Sequence, residues 1–260
     1  MGDNSTSAIS TPSKSYSKVD SFRVSLIVTT NYGCIDSTAK KVYVFPMPVA
    51  AFNIAPPSSC FKKNVFNIVN KSSITGGVIS SYSFQYGNND SSNLIAPLPY
   101  SYPVNGDYIV SLKVITDKGC WDTISKPITV NPNPVLDFTV DPVCLKDSSV
   151  FINLSSIPTG IITSWKWIFG NGKTSIAQAP KFKYKNVGSY DITLIAGTDK
   201  GCIDTLKKLG TAVVNPNPKA GFVFQKLRSW ENEVDIQYTD TSIGAINWKW
   251  NFSSMGTSTD

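Results

Sequence analysis

Residues 188–204 read Gly188-Ser-Tyr-Asp-Ile-Thr-Leu-Ile-Ala-Gly-Thr-Asp-Lys-Gly-Cys-Ile-Asp204. Tyr190, Ile192 and Leu194 alternate with Ser189, Asp191 and Thr193, the period of a strand that buries one face. Asp199-Lys200-Gly201 then carries turn residues, and a last strand is expected to run on to Val214. The closing motif is not unique. Gly33-Cys34-Ile35-Asp36 and Gly119-Cys120-Trp121-Asp122 repeat Gly201-Cys202-Ile203-Asp204 at intervals of 86 and 82 residues. Each copy is followed by a Pro-x-Pro: Pro46-Met47-Pro48, Pro132-Asn133-Pro134 and Pro216-Asn217-Pro218. A fixed period of this size marks a string of equivalent small modules.

Upstream of residue 188 the pattern stays β. Val135–Val140, Ser149–Leu154 and Thr163–Phe169 are expected strands, with a polar turn at Gly170-Asn171-Gly172-Lys173. About seven short strands separated by turns make an all-β, two-sheet sandwich. Trp165, Trp167 and Phe169 are spaced by two and share a face. Trp167 is therefore the expected core tryptophan, with Phe84 and Trp250 as its equivalents. Residues 2–34 align without a gap on 170–202, which places Tyr16 on Tyr184, Phe22 on Tyr190 and Leu26 on Leu194. The division that follows is 1–45, 46–131, 132–215 and 216–260. The central two are complete modules; the first is a second half and the last a first half. Each half would expose an apolar face and a raw strand edge, to be completed by neighbouring repeats of the same chain or of adjacent chains. Stiff proline joints predict an extended rod.

The segment Trp165-Lys-Trp-Ile-Phe-Gly170-Asn-Gly172, with Pro180, Tyr184, Gly188-Ser-Tyr190-Asp-Ile-Thr-Leu194 and Gly201-Cys202, resembles the polycystic kidney disease (PKD) domain. That domain is an immunoglobulin-like sandwich marked by a Trp-Asp-Phe-Gly-Asp-Gly type of strand and turn. The Gly-Cys-x-Asp-Thr segments resemble those of tandem copies in secreted Bacteroidota surface proteins. The resemblance implies an extracellular or cell-surface location, export by type IX secretion, and a role in adhesion or gliding, as part of a filament. Where the family carries turn aspartates, this chain has Asn171 and Asn88 and keeps only Asp3, which argues against calcium at that turn.

The five cysteines occupy two positions in the module. Cys60 and Cys144 follow the first strand; Cys34, Cys120 and Cys202 open the last. The expected pairing is one staple per complete module, Cys60 with Cys120 and Cys144 with Cys202, leaving Cys34 unpaired. Zinc would need four ligands at Cys/His spacing, and the chain has no His and no Cys-x-x-Cys. Disulfides place the chain outside a reducing cytosol.

No catalytic residue, metal or cofactor is expected. The commonest general base is missing, and no nucleophile elbow, phosphate loop or dinucleotide fingerprint occurs. The formal charge of +6 is carried mainly by dispersed lysines. Lys181, Lys183 and Lys185 alternate with Phe182 and Tyr184, as on the wet face of a strand, so nucleic acid is not an expected partner. No apolar run is long enough for a membrane helix. Trp230 lies where the last copy lost its cysteine; it either packs there in place of the disulfide or is exposed as the candidate contact for a polysaccharide or surface protein. Ser37, Thr123 and Thr205 follow the motif aspartates and resemble acceptors for O-glycosylation; the alternative, which the pattern favours, is strand propensity beside a turn carboxylate. The function expected is a non-catalytic spacer of a repeat adhesin; the alternative is a ligand-binding module, accessory to a secreted hydrolase.

Overall fold

A computed structural model describes residues 5–230 and 233–252. The chain divides into two compact units, Met1–Asn133 and Pro134–Asp260. The first unit opens with a hairpin of β1 (Asp20–Thr29) and β2 (Ile35–Val44). It continues with β3 (Phe52–Ala55), β4 (Ser58–Cys60), β5 (Asn67–Asn70), β6 (Ile79–Gln85), β7 (Ser91–Ser92), β8 (Gly106–Thr116) and β9 (Trp121–Asn131). Strands β3 and β5 pair in one sheet, and the other has the order β4-β9-β8-β6-β7.

The second unit repeats this plan. Its strands are β10 (Phe138–Val140), β11 (Val143–Cys144), β12 (Ser149–Asn153), β13 (Ile162–Ile168), β14 (Thr174–Ser175), β15 (Lys181–Phe182), β16 (Gly188–Thr198) and β17 (Ile203–Asn215). One sheet is β10-β12-β15 and the other β11-β17-β16-β13-β14. A final hairpin follows, β18 (Phe222–Trp230) with β19 (Glu233–Asp240). The modules are immunoglobulin-like β-sandwiches.

In both, the opening strand is split. The first piece lies in the small sheet, and the second crosses over to run parallel to the last strand of the large one. Every other strand pairing is antiparallel.

The cores follow from the period-two pattern. Phe138, Phe151, Trp167, Phe169, Ile192 and Leu194 are buried together in one module. Phe52, Phe66, Phe84, Val110 and Leu112 are buried in the other. Trp167 meets the edge of Phe138 at 5.1 Å between ring centres. Its indole N–H donates to the Ala177 carbonyl at 2.9 Å, so the one polar atom of the ring is satisfied inside the core. Phe84 takes the same place against Phe52, edge-on at 6.0 Å. On the outer strand, Lys181, Lys183 and Lys185 are exposed while Tyr184 between them is buried, as the alternation requires.

The terminal hairpins differ. Trp250 is 40 % exposed rather than buried, although it touches Phe222 at 5.4 Å and Tyr238 at 5.7 Å. Among the described residues no second sheet covers it, so its alignment with Trp167 does not by itself bury it. Leu26 and Val28 of β1 are likewise exposed. Trp121 stands 53 % exposed, beside Ile35 and Ile203 at 70 % and 63 % in the equivalent places. Lys113 lies 4.9 Å from the centre of its ring.

Candidate functional surfaces

Each last hairpin is closed by the same turn, built three times. Cys34, Cys120 and Cys202 each donate a backbone N–H to a threonine hydroxyl four residues earlier, Thr30, Thr116 and Thr198, at 3.1 Å in every copy. The glycine N–H returns to the same threonine's carbonyl at 3.0 Å. Gly33, Gly119 and Gly201 adopt φ of +81°, +79° and +77°, a region that costs little only for glycine. These threonines are absent from the sequence reading, though a Thr four residues before each motif cysteine was there to be seen. The turn fixes where each cysteine sits.

The tyrosines form a second repeated arrangement. Tyr184 donates to the Phe169 carbonyl at 3.1 Å and stacks on Tyr190 at 3.9 Å. Tyr102 donates to the Tyr86 carbonyl at 2.8 Å and stacks on Tyr108 at 4.0 Å. Tyr16 stacks on Phe22 at 4.1 Å in the first hairpin, the place that the ungapped alignment assigned them. Burial is the main reason the phenols of Tyr102 and Tyr184 are pushed well above the ordinary tyrosine value, with nearby tyrosines adding to it. The folded state therefore favours the neutral phenol. Its contribution is complete below the unfolded value of about 10 and is lost as pH rises above it. Melting temperature followed by circular dichroism is expected to hold level from pH 7 to 9 and to fall above pH 10. A level profile through pH 12 would contradict this burial.

The cysteines depart from the expected pairing. Cys120 and Cys144 are free thiols, as is Cys34, whereas Cys60 and Cys202 are disulfide-bonded. The staples Cys60–Cys120 and Cys144–Cys202 are thus not formed, and the strand register gives the reason. Cys60 lies opposite Asn131, at the far end of β9 from Cys120. Cys144 lies opposite Asn215, at the far end of β17 from Cys202. At about 3.3 Å per residue these separations are roughly 35 and 40 Å, against the about 4.4–6.8 Å between Cα atoms that a disulfide allows.

The carboxylates are held as acceptors. Asp137 takes a hydrogen bond from the Lys208 ammonium at 2.6 Å, which first among its contacts lowers its pKa. Asp191 accepts from the Gly210 N–H at 2.9 Å, the chief cause of its own lowering, and pairs with Lys207 at 3.0 Å. Groups held in the ionised form are poor proton donors at neutral pH. Among the described residues no three His, Cys, Asp or Glu side chains come together as a metal site.

Ser37, Thr123 and Thr205 are exposed. The preceding aspartates have structural partners: Asp36 and Asp204 accept the Ser37 and Thr205 N–H groups at 2.8 Å. Asp122 instead accepts the Ala50 N–H at 2.8 Å. The side chain of Trp230 lies outside the described residues. The second unit carries an open cavity of about 1010 Å³, bordered by Phe222, Tyr238, Trp248, Trp250 and Phe252. It is the uncovered inner face of the last hairpin.

Residues 131–213 match the family model for the PKD domain. This module is a PKD domain. The chain is also 35 % identical over 117 residues to the pre-pro-metalloprotease PrtV of Vibrio cholerae, a match covering 43 % of this chain and 12 % of that protein. Among solved structures, the PKD1 domain of the V. cholerae metalloprotease PrtV is 41 % identical. The match covers 29 % of this chain and 91 % of that one, with a TM-score of 0.28. The PKD1 domain of Vibrio anguillarum Epp is 31 % identical, covering 33 % and 99 %, with a TM-score of 0.29. The chain thus spans only about an eighth of the full-length curated relative. No helix among the described residues is long and apolar enough to cross a membrane.

Proposed function

We propose that this chain is a non-catalytic, extracellular stretch of tandem PKD modules, a spacer within a large surface adhesin or filament of the Bacteroidota type. One observation carries the reading. Between the two complete modules the core, the sheet order and the cysteine turn are repeated, while several exposed side-chain pairs are not. Trp121 with its lysine stands where the other module has Ile203, and Asp191 with Lys207 stands where the first module has Ile109 and Ser125. Repetition of the scaffold without repetition of a surface site supports a structural role for the series. The partners proposed are neighbouring modules.

The relation to a metalloprotease favours a second reading, a module accessory to a secreted hydrolase that engages polysaccharide or protein. A glycan array separates the two. The spacer reading expects the 260-residue chain to bind no glycan above a scrambled-surface control, and dose-dependent binding would replace it with the second.

A further inference from the structure

We propose that Asn171 is a modification site, at which the side-chain amide is lost spontaneously and replaced by a carboxylate. Asparagine is a thermolabile residue. Its deamidation requires the backbone nitrogen of the next residue to reach the asparagine Cγ, and a glycine there leaves the approach unhindered and the backbone free to turn. Glycine follows asparagine only twice in the chain, at Asn105-Gly106 and Asn171-Gly172. The structure separates these two.

Asn171 and Gly172 are both exposed, in the turn between β13 and β14. Among the described residues neither the Gly172 N–H nor the Asn171 Nδ2 has a hydrogen-bond partner. Nothing lies within 4 Å of where a Gly172 Cβ would stand, so water reaches the reacting atoms. The Asn171 Oδ1 accepts the Lys173 N–H at 3.1 Å. That oxygen becomes the oxyanion when nitrogen attacks Cγ, and a donor already placed on it stabilises the charge as it develops. Gly106, by contrast, stands in the β8–β9 ladder opposite Val130, with the ring of Tyr108 3.9 Å from its Cβ position. Attack at Asn105 must therefore wait for the strand end to open. In the first module the turn equivalent to Asn171 is at Asn88. Its Oδ1 accepts the Asp90 N–H at 3.2 Å, but its Nδ2 donates to the Tyr100 hydroxyl at 2.7 Å and the next residue is Asn89. There the leaving group is tied and the nucleophile is crowded.

The reaction consumes only water. The Gly172 nitrogen bonds to Cγ of Asn171, the Cγ–Nδ2 bond breaks, and Nδ2 departs as ammonia with the proton that the backbone nitrogen gives up. The cyclic imide then adds water. Opening at the side-chain carbonyl gives aspartate; opening at the main-chain carbonyl gives isoaspartate, whose side-chain carbon has become part of the backbone. Either product adds a negative charge to the turn. Isoaspartate also lengthens it by one carbon, at a place where the Phe169 N–H closes the turn by donating to the Lys173 carbonyl at 3.0 Å. The consequence is a slow, irreversible loosening that the equivalent turn at Asn88 escapes.

The proposal holds whether the series is a spacer or a binding module. The folded chain, aged in mildly alkaline buffer and mapped by mass spectrometry, is expected to convert Asn171 at least about tenfold faster than Asn105 or Asn88. In urea, which releases both glycine nitrogens, Asn171 and Asn105 should convert at similar rates. G172A should slow conversion at Asn171 by about tenfold and leave Asn105 unchanged. Conversion at Asn105 that keeps pace with Asn171 in the folded chain would overturn the assignment, as would an Asn171 that converts in urea but not when folded. Hydrogen exchange reads the consequence. The Phe169 amide should lose protection in the aged isoaspartate fraction and keep it in N171D, which has the charge but not the extra carbon; unchanged protection in the aged fraction would disprove the loosening.

Discussion

Trp167→Ala is expected to cost its module about 3–5 kcal/mol. The ring is fully buried, packs against both Phe138 and Phe151, and ends in a satisfied hydrogen bond to Ala177. Its removal leaves a cavity at the centre of one sheet and deprives the Ala177 carbonyl of its donor. A domain of about 80 residues has a total stability of roughly 4–12 kcal/mol, so the substitution consumes much of it. Because the chain contains more than one folding unit, a single melting temperature is a poor measure. Native-state hydrogen exchange of the β16 amides isolates the affected module. They should lose protection by a factor of at least a hundred, while β8 amides in the other module keep theirs. Trp121→Ala serves as the contrast. That side chain is mostly exposed and its one notable contact is Lys113, a cation–π pair worth about 0.5–1 kcal/mol. Similar losses from the two substitutions would contradict the assignment of Trp167 to the core.

The β character and the identity of this core residue were legible because each rests on local spacing. Side chains two apart on a strand must share a face, so Trp165, Trp167 and Phe169 could be placed together, and the lysines opposite Tyr184 could be placed outside. Strand ends were read to within a few residues for the same reason: Ser149–Leu154 was expected and Ser149–Asn153 is found. The crossover of the opening strand was not legible. Nothing in Pro142-Val143-Cys144 says that two residues leave the small sheet and pair in parallel with Val214 and Asn215. That pairing is a long-range choice made by both sheets together. It decides which end of the module the cysteine occupies, and so leaves the expected pairs within each module too far apart to bond. Trp250 failed for a related reason. Sequence equivalence places it on the inner face, but burial also needs an opposing sheet, and its described neighbours supply one hairpin. The cysteine turn fell between these cases, since the Gly-Cys pair stood out while the hydrogen-bonding threonine did not.

Gly170→Ala is the second substitution with a large expected effect, and its neighbour supplies the control. Gly170 follows Phe169 at the end of β13 and adopts φ of +74°, and a Cβ there would lie 2.6 Å from the Asp191 carbonyl oxygen and 3.0 Å from its nitrogen. The obstacle is backbone of the adjacent strand, which cannot rotate away as a side-chain end could. Gly87 is in the same position in the other module, with φ of +82° and a Cβ placed 2.8 Å from the Ile109 oxygen. The glycine is thus demanded twice, by the left-handed conformation and by the close approach of the central strand. Gly172 has nearly the same φ, +79°, but nothing within 4 Å of its Cβ position. Its alanine variant should lose only the conformational share, about 1–2 kcal/mol. Gly170→Ala adds displacement of β16 from β13 at a pair of strands that carries the core, and a total of about 3–4 kcal/mol is expected on the scale of overpacked sites. Urea unfolding of the two variants, with hydrogen exchange of the β16 amides as the probe, gives the difference directly. Equal losses would mean that φ alone sets the requirement; a larger loss at Gly170 assigns the remainder to the contact with Asp191.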